Sequence, residues 1–319
     1  STEAEAAYQL VVTSFPDVRQ GWVEYFAVLR QARRHEEALT LAHRASEQFC
    51  EDALPAALRG AALVELGRFR EGLAALDEAA RRDPNLGMIW HEAGYAAYRL
   101  GEFSRALMAL DRAFALEPHS GTLHLRGKVL RQAGRYLAAE VSFEGAAQAA
   151  EFAIQREAAE REVGVTRRYA AFPGTKPDTL SLPRRWFAET GSVPLTGSAG
   201  EPASEAAIAE AVVALSRDLD WRFSIVVAMD AWDGWYELAG RLGVPVAATL
   251  PADGNAVPLL VARQPAGQPE WEVHVEKVAQ RGRGATLALH QGASHPPADL
   301  TGTVNDTPSH AVDLAFAVE

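Results

Sequence analysis

Residues 53–86 read ALPAALRGAALVELGRFREGLAALDEAARRDPNL, and residues 87–118 read GMIWHEAGYAAYRLGEFSRALMALDRAFALEP. The two segments repeat the same glycine, aromatic and proline residues at a spacing of 34. The matching pairs are Gly60 and Gly94, Gly67 and Gly101, Phe69 and Phe103, and Pro84 and Pro118. A fixed period of this length is typical of stacked helical hairpins, because one such hairpin cannot bury its apolar face alone.

The pattern continues on both sides of this stretch. We predict four hairpins, at about residues 19–52, 53–86, 87–119 and 120–153. The fourth is one residue out of register, so we expect a tighter turn near His119–Gly121. The apolar residues of segment 3–15 are spaced as in the second helix of a hairpin. No first helix of that hairpin precedes them in the sequence. We therefore expect either that the parent chain begins upstream of Ser1 or that this end is frayed.

Two sets of glycines are expected to shape each hairpin. The first set lets the two helices of a hairpin approach closely and consists of Gly60, Gly94 and Gly127. The second set ends the first helix in the left-handed conformation, which glycine adopts without strain, and consists of Gly67, Gly101 and Gly134. Glu151–Tyr169 is predicted to be a polar helix that caps the array, since the end of a solenoid must face water.

The combination of these residues resembles the tetratricopeptide repeat (TPR) family over about residues 3–153. Arg33, Cys50 and Gly72 depart from the family pattern, at a turn glycine, a proline and a small alanine respectively. The resemblance implies an all-α solenoid that binds peptides or proteins on a concave surface lined by the first helix of each hairpin. In this sequence the lining positions are Arg30, His91, Tyr95, Tyr98, His124, Lys128 and Arg131.

These lining residues predict a groove that is aromatic in the middle and cationic towards its later end. Such a groove suits an extended peptide with acidic or C-terminal carboxylate groups. The Lys and Asn pairing with which some TPR proteins clamp a terminal carboxylate is absent, so only the general activity is carried over. Packing between repeats is an equally good explanation of Tyr95 and Tyr98. For His91 and His124 an ordinary surface position is the simpler explanation.

Composition restricts the class of partner. The formal net charge of the 319 residues is -11, which argues against nucleic-acid binding, since that requires a cationic surface. No apolar run reaches the roughly 18 residues that span a bilayer. Cys50 is the only cysteine, which excludes an intrachain disulfide and a multi-cysteine metal site. A lone thiol leaves the compartment open, and we expect a cytoplasmic protein.

The second half of the chain predicts a separate domain of another class. Residues 171–203 are rich in proline and glycine and read as a connector. For residues 204–319 we predict an α/β domain with a mixed sheet and recognise no family. The predicted helices are Ala206–Leu215 and Trp232–Leu242. The predicted strands are Ser224–Met229, Val244–Thr249, Val257–Arg263, Trp271–Gln280, Ala285–His290 and Ala311–Val318, with Arg281–Gly284 as a hairpin turn.

The predicted domain has one candidate ligand crevice. Asp230 and Asp233 follow the carboxyl end of a parallel strand, where ligands bind in open α/β sheets, and Trp232 and Trp235 would wall the crevice. The simpler explanation is that an aspartate caps the next helix and that the tryptophans belong to the core. A metal site is a weaker hypothesis, and its candidate ligands are His290, His295, His310 and Asp299.

No known catalytic spacing occurs in the sequence, and we predict no cofactor. The leading hypothesis is therefore a multi-domain interaction scaffold whose repeats bind a protein or peptide partner. The alternative is an enzyme or a small-molecule sensor with its site in the second domain. A homo-oligomer formed through the aromatic groove is a third hypothesis.

Overall fold

The computed structural model describes residues 2–195, 204–265, 268, 270–281, 283–291 and 298–304. The chain divides into two compact units, and the division falls between Thr166 and Arg167.

The first unit is a row of α-helices. They are α1 (Thr2–Ser14), α2 (Arg19–Gln31), α3 (His35–Gln48), α4 (Ala53–Glu65), α5 (Phe69–Arg82), α6 (Gly87–Arg99), α7 (Phe103–Leu116), α8 (Ser120–Gln132), α9 (Tyr136–Gln148) and the greater part of α10 (Ala153–Ala170). The helices from α2 to α9 form four hairpins at the predicted positions, and α10 follows where the capping helix was expected. The turn at 117–119 is one residue shorter than the equivalent turn at 83–86, as the change of register predicted.

Left-handed residues end the first helix of each hairpin. Gly67, Gly101 and Gly134 have φ angles of 75°, 76° and 77°, which confirms the role predicted for these glycines. In the first hairpin Arg33 occupies this position with a φ of 57°. The backbone of the turn therefore keeps its shape even where its residue is not glycine.

The two helices of a hairpin lie closer together than an alanine would allow. A Cβ atom added to Gly60 would lie 2.5 Å from the side chain of Leu76, and one added to Gly94 would lie 2.6 Å from Leu110. At Gly127 the added atom would lie 2.7 Å from the ring of Phe143. These contacts confirm that the repeated glycines permit the close approach of the paired helices.

The second unit contains a parallel sheet with helices on its faces. Its elements are α11 (Leu182–Thr190), β1 (Val193–Pro194), α12 (Glu205–Asp218), β2 (Ile225–Ala228), α13 (Gly234–Leu242), β3 (Val246–Ala247), β4 (Pro258–Ala262), α14 (Trp271–Gln280), β5 (Ala285–Gln291) and β6 (Leu300–Val304). The strand order is β1-β6-β5-β4-β2-β3. Every pairing between the described strands is parallel, so these strands form a parallel sheet and not the predicted mixed one.

The error traces to the segment Trp271–Gln280, which is a helix and not a strand. Its residues alternate between apolar and polar over the first six positions, which imitates the period of a strand. Its buried residues are Trp271 and Val278, with Val275 partly buried between them, and that spacing is helical. Arg281–Gly284 consequently leads from α14 into β5 and is not a hairpin turn.

Three further segments differ from the sequence expectations. Helix α11 and strand β1 lie inside the interval 171–203 that reads as a connector. Strand β6 was not predicted, because Gly302 interrupts its apolar pattern. A Cβ atom at Gly302 would lie 2.4 Å from Ile208 of α12, so the glycine permits this helix to pack closely. The predicted strand Ala311–Val318 lies outside the described residues.

Candidate functional site

The first helices of the four hairpins share one surface, which we call the inner groove. Helices α2 and α4, α4 and α6, and α6 and α8 contact each other directly. Arg30 on α2 forms ion pairs of 2.8 Å with Glu65 on α4 and of 2.7 Å with Glu92 on α6. One guanidinium therefore reaches across three successive hairpins, which places their first helices around a common groove.

Arg30 acts within this groove as a structural bridge. Burial by itself lowers the pKa of Arg30, but Glu92 and Glu65 more than offset this effect, and the net pKa is raised. Its charge is thus neutralised by two carboxylates of the same unit. This predicted lining residue is half-buried and engaged in holding the repeats together.

The middle of the inner groove contains an aromatic and cationic cluster. The ring of Tyr95 lies edge-on to Phe69, with 6.3 Å between the centroids. The guanidinium carbon of Arg99 lies 4.5 Å from the centroid of the Phe69 ring. Arg99 also donates a hydrogen bond of 2.8 Å from Nη1 to the hydroxyl oxygen of Tyr95. A residue of one hairpin and two of the next therefore form one preorganised cluster.

The other predicted residues of α6 contact the next hairpin or the end of their own. His91 Nδ1 lies 3.0 Å from the hydroxyl oxygen of Thr122 on α8. Tyr98 lies 6.4 Å from Phe103, centroid to centroid, and its burial raises its pKa. His91, Tyr95 and Tyr98 are all half-buried, so each of them packs within the array and also keeps part of its side chain accessible.

The later end of the inner groove is covered by the capping helix. Arg131 on α8 is 4% exposed and pairs with Glu162 on α10. Its guanidinium carbon lies 5.4 Å from the centroid of the Phe143 ring, and Nη1 lies 3.4 Å from the hydroxyl oxygen of Thr166. The structure thus places Arg131 between the last hairpin and α10, where it joins the cap to the repeats.

Two titratable groups beside Arg131 have strongly altered pKa values. Burial, with Lys128 nearby, lowers the pKa of His124 to about 3, so this imidazole is neutral at physiological pH. Burial opposes ionisation of Glu162, yet Arg131 and Lys128 prevail and lower its pKa. Lys128 itself is half-buried, and its positive charge is felt by both groups.

Two residues of this region were missed by sequence reasoning. Arg99 lies one helical turn after Tyr95, and this i, i+4 spacing could have placed both side chains on one face. Glu162 offered no comparable signal, because its partner Arg131 lies 31 residues earlier in the chain. The carboxylate of Glu162 makes the later end of the groove less cationic than the sequence indicated.

The predicted crevice of the second unit is built around Asp230. Its Oδ1 accepts a hydrogen bond of 2.7 Å from Trp235 Nε1, and its Oδ2 accepts one of 2.7 Å from the backbone N–H of Arg263. Trp235 is 1% exposed and belongs to the core. Trp232 is half-buried. Asp233 precedes α13 without forming a capping hydrogen bond.

The residues proposed as metal ligands lie apart where the structure describes them. His290 Nε2 lies 3.9 Å from Glu205, whereas Asp299 accepts hydrogen bonds from Thr286. Thr286 and His290 are separated along β5 by roughly 13 Å, at about 3.3 Å per residue. His295 and His310 lie outside the described residues. Among the residues that are described, no group of three or more side chains is arranged to hold a metal ion.

No family model matches the chain, and no curated protein does. The chain is similar to Cut9 in the APC/C hetero-tetramer Cut9–Hcn1, with 17% identity, a TM-score of 0.48, and coverage of 52% of this chain and 34% of that one. It thus spans about a third of Cut9. It is also similar to TTC0263, a thermophilic TPR protein of Thermus thermophilus, with 17% identity, a TM-score of 0.44, and coverage of 52% and 87%.

A third similar structure is YrrB, described as a TPR protein with an unusual peptide-binding site. It shares 18% identity at a TM-score of 0.42, with coverage of 58% of this chain and 94% of YrrB. No described helix of this chain is both long and apolar enough to cross a membrane. The four hairpins, with their left-handed turns and close-packed glycines, confirm at the level of the fold the resemblance to tetratricopeptide repeats.

Proposed function

We propose that the repeats bind an extended, acidic segment of a partner protein along the inner groove. The observation that carries this proposal is the cluster of Phe69, Tyr95 and Arg99, which combines an aromatic surface with an exposed cation. Tyrosine and arginine are enriched among the residues that dominate binding energy at protein interfaces. Repeat arrays commonly bind their partners along such extended surfaces.

The geometry of Arg99 suits recognition of a carboxylate. Its guanidinium is held against Phe69 and donates to the Tyr95 hydroxyl, so little side-chain freedom would be lost on binding. A guanidinium carries five N–H donors. The hydrogen bond to Tyr95 uses one of them, so the other donors can bind a partner. Bidentate pairing with an aspartate or glutamate is the strongest contact open to such a group.

Lys128 is the second cation that we assign to this function. It lies on α8 at the position equivalent to Tyr95 on α6, since each residue directly follows the close-packed glycine of its own hairpin. Its ammonium lies close enough to His124 and Glu162 to lower the pKa of both, so it supplies a positive charge in this part of the groove. An acidic segment crossing from α6 to α8 would therefore meet Arg99 first and Lys128 next.

Selection of peptides from a displayed random library, with the intact chain as bait, tests the proposal. We expect the selected peptides to be enriched in Asp and Glu. Fluorescence anisotropy with one such peptide should show binding at least about tenfold weaker for the double variant Arg99→Gln and Lys128→Gln, because each charge-assisted contact contributes about 1.5–3 kcal/mol.

A matched control uses Arg70→Gln, because Arg70 is an exposed arginine on α5, the second helix of its hairpin. This variant should bind as the parent chain does. Selected peptides without acidic residues, or equal affinity for the parent chain and the double variant, would reject the groove assignment.

A further inference from the structure

The second unit has a topological switch point between β2 and β4. From β2 the chain passes through α13 to β3 on one side of β2, and then returns to form β4 on the other side. Helices α12 and α13 pack on one face of the sheet, whereas α14 packs on the opposite face. Connections that leave adjacent strands towards opposite faces create a crevice at the carboxyl ends of those strands, where ligands of open α/β sheets bind.

Asp230 fixes the geometry of this crevice. Its two carboxylate oxygens accept hydrogen bonds of 2.7 Å from Trp235 Nε1 and from the backbone N–H of Arg263. The segment after β2 is thereby tied to the residue after β4. The backbone carbonyl of Arg263 accepts in turn from the N–H of His290 on β5, at 2.8 Å. Three strand ends are joined, and Asp230 serves as a positioning residue.

Four side chains of contrasting chemistry meet above these strand ends. Arg263 Nη2 lies 3.0 Å from Glu205 Oε1, and His290 Nε2 lies 3.9 Å from the same oxygen. The guanidinium carbon of Arg263 lies 5.8 Å from the centroid of the Trp232 ring. The side chains of Arg263, Glu205 and His290 are 46%, 32% and 30% exposed. They are thus accessible to a ligand as well as to each other.

We propose that this crevice binds a small anion that carries a planar ring, of the mononucleotide class. The anionic group pairs with Arg263 and takes the place of the Glu205 carboxylate beside it. The ring stacks against Trp232, whose indole already faces a planar cation. His290 lies within reach of the anionic group as a further donor. The site belongs to the second unit and does not depend on the function proposed for the repeats.

The ion pair between Glu205 and Arg263 leads to a specific expectation for the affinity of the ligand. The carboxylate of Glu205 competes with the ligand for the guanidinium of Arg263, so removal of its charge favours binding. Glu205→Gln is therefore expected to strengthen binding several-fold. A variant with a damaged fold would bind the ligand more weakly. Stronger binding by Glu205→Gln therefore cannot be explained by loss of structure.

Isothermal titration calorimetry of the intact chain with AMP and with GMP tests the proposal. At least one nucleotide should bind, and about tenfold more tightly than adenosine, ribose 5-phosphate or inorganic phosphate, each of which supplies only part of the recognised chemistry. Arg263→Gln should weaken the binding by at least about tenfold, and Trp232→Leu by several-fold. Thermal melts of each variant verify folding.

Arg222→Gln is the matched control, because Arg222 is an arginine of the same unit with 86% of its side chain exposed and forms an ion pair with Asp220. It should leave the affinity unchanged. The proposal is overturned if neither nucleotide binds at millimolar concentration, if Glu205→Gln weakens binding, or if Arg222→Gln and Arg263→Gln have equal effects. The last result would indicate unspecific attraction of anions to the surface.

Discussion

Arg33 occupies the turn position that glycine fills in the next three hairpins, and it keeps a φ of 57° there. A left-handed conformation costs a residue with a Cβ atom about 1 kcal/mol, whereas glycine adopts it freely. We expect Arg33→Gly to raise the free energy of unfolding by up to about 1 kcal/mol, as measured by urea titration followed by circular dichroism.

The reverse change provides the control. Gly101 has the same backbone conformation, with a φ of 76° and no atom within 4 Å of an added Cβ. Gly101→Ala should therefore lower the free energy of unfolding by about 1 kcal/mol through backbone strain alone. If both substitutions shift the stability in the same direction, the turn geometry is not what these residues control.

A second prediction at the scale of the residue concerns the pH dependence that His124 gives to stability. The pKa of His124 is about 3 in the folded chain and about 6.5 when unfolded. The unfolded state therefore binds the extra proton below pH 6.5, and stability falls as the pH is lowered from there towards 3. Between pH 7 and pH 5 this group should remove about 2 kcal/mol of stability.

The variant His124→Gln should lose this part of the pH dependence. Urea titrations at pH 5 and pH 7 give the difference directly for the parent chain and the variant. His43→Gln, which changes an exposed histidine on α3, serves as the control and should retain the parent dependence. An unchanged pH dependence in His124→Gln would show that the imidazole is not buried in the neutral form.

At the scale of the element, the ion pair between Arg131 and Glu162 fastens α10 to the last hairpin. Glu162→Gln leaves a guanidinium that is only 5% exposed without its carboxylate. Loss of one partner of a buried pair costs about 3–5 kcal/mol. We expect the free energy of unfolding to fall by about 3 kcal/mol, and hydrogen exchange in α10 to accelerate.

Glu71→Gln is the matched control, because Glu71 pairs with Arg68 at the surface, three residues apart in the chain. Exposed pairs of this kind contribute little to stability, so this variant should leave the free energy of unfolding nearly unchanged. Equal losses in Glu71→Gln and Glu162→Gln would mean that α10 is not anchored through this contact.

The helices of the repeats could be predicted from the sequence because each hairpin repeats the same local signals. Gly67 marks the turn and Gly60 marks the close approach, and both lie within the hairpin that they shape. Helix α14 could not be assigned in the same way. Its polar and apolar residues alternate as in a strand, and the burial of Trp271 and Val278 is decided by the sheet beneath them.

At the scale of the whole molecule, the sequence indicated which helices carry the candidate site residues but not which of their charges are paired within the fold. The sequence placed Arg30 on the lining helices, yet its pairing with Glu92 spans 62 residues. No local pattern could reveal that contact. The same applies to Arg263, whose role depends on the order of β2 and β4 in the sheet. Long-range pairing decides which cations are neutralised within the fold and which face solvent.

The chain carries a net charge of -11, so an acidic partner would be repelled by the chain as a whole. Recognition must then depend on local geometry rather than on overall attraction, because charges beyond about 8–10 Å are screened at physiological salt. The cations Arg99 and Lys128 lie on α6 and α8, so the contact surface should centre on these two helices.

Hydrogen exchange of the intact chain, with and without a selected acidic peptide, tests the claim that the inner groove is the binding surface. The account predicts added protection in α6 and α8, and its loss in the double variant Arg99→Gln and Lys128→Gln. Protection confined to the second helices α7 and α9, or to the parallel sheet of the second unit, would contradict it.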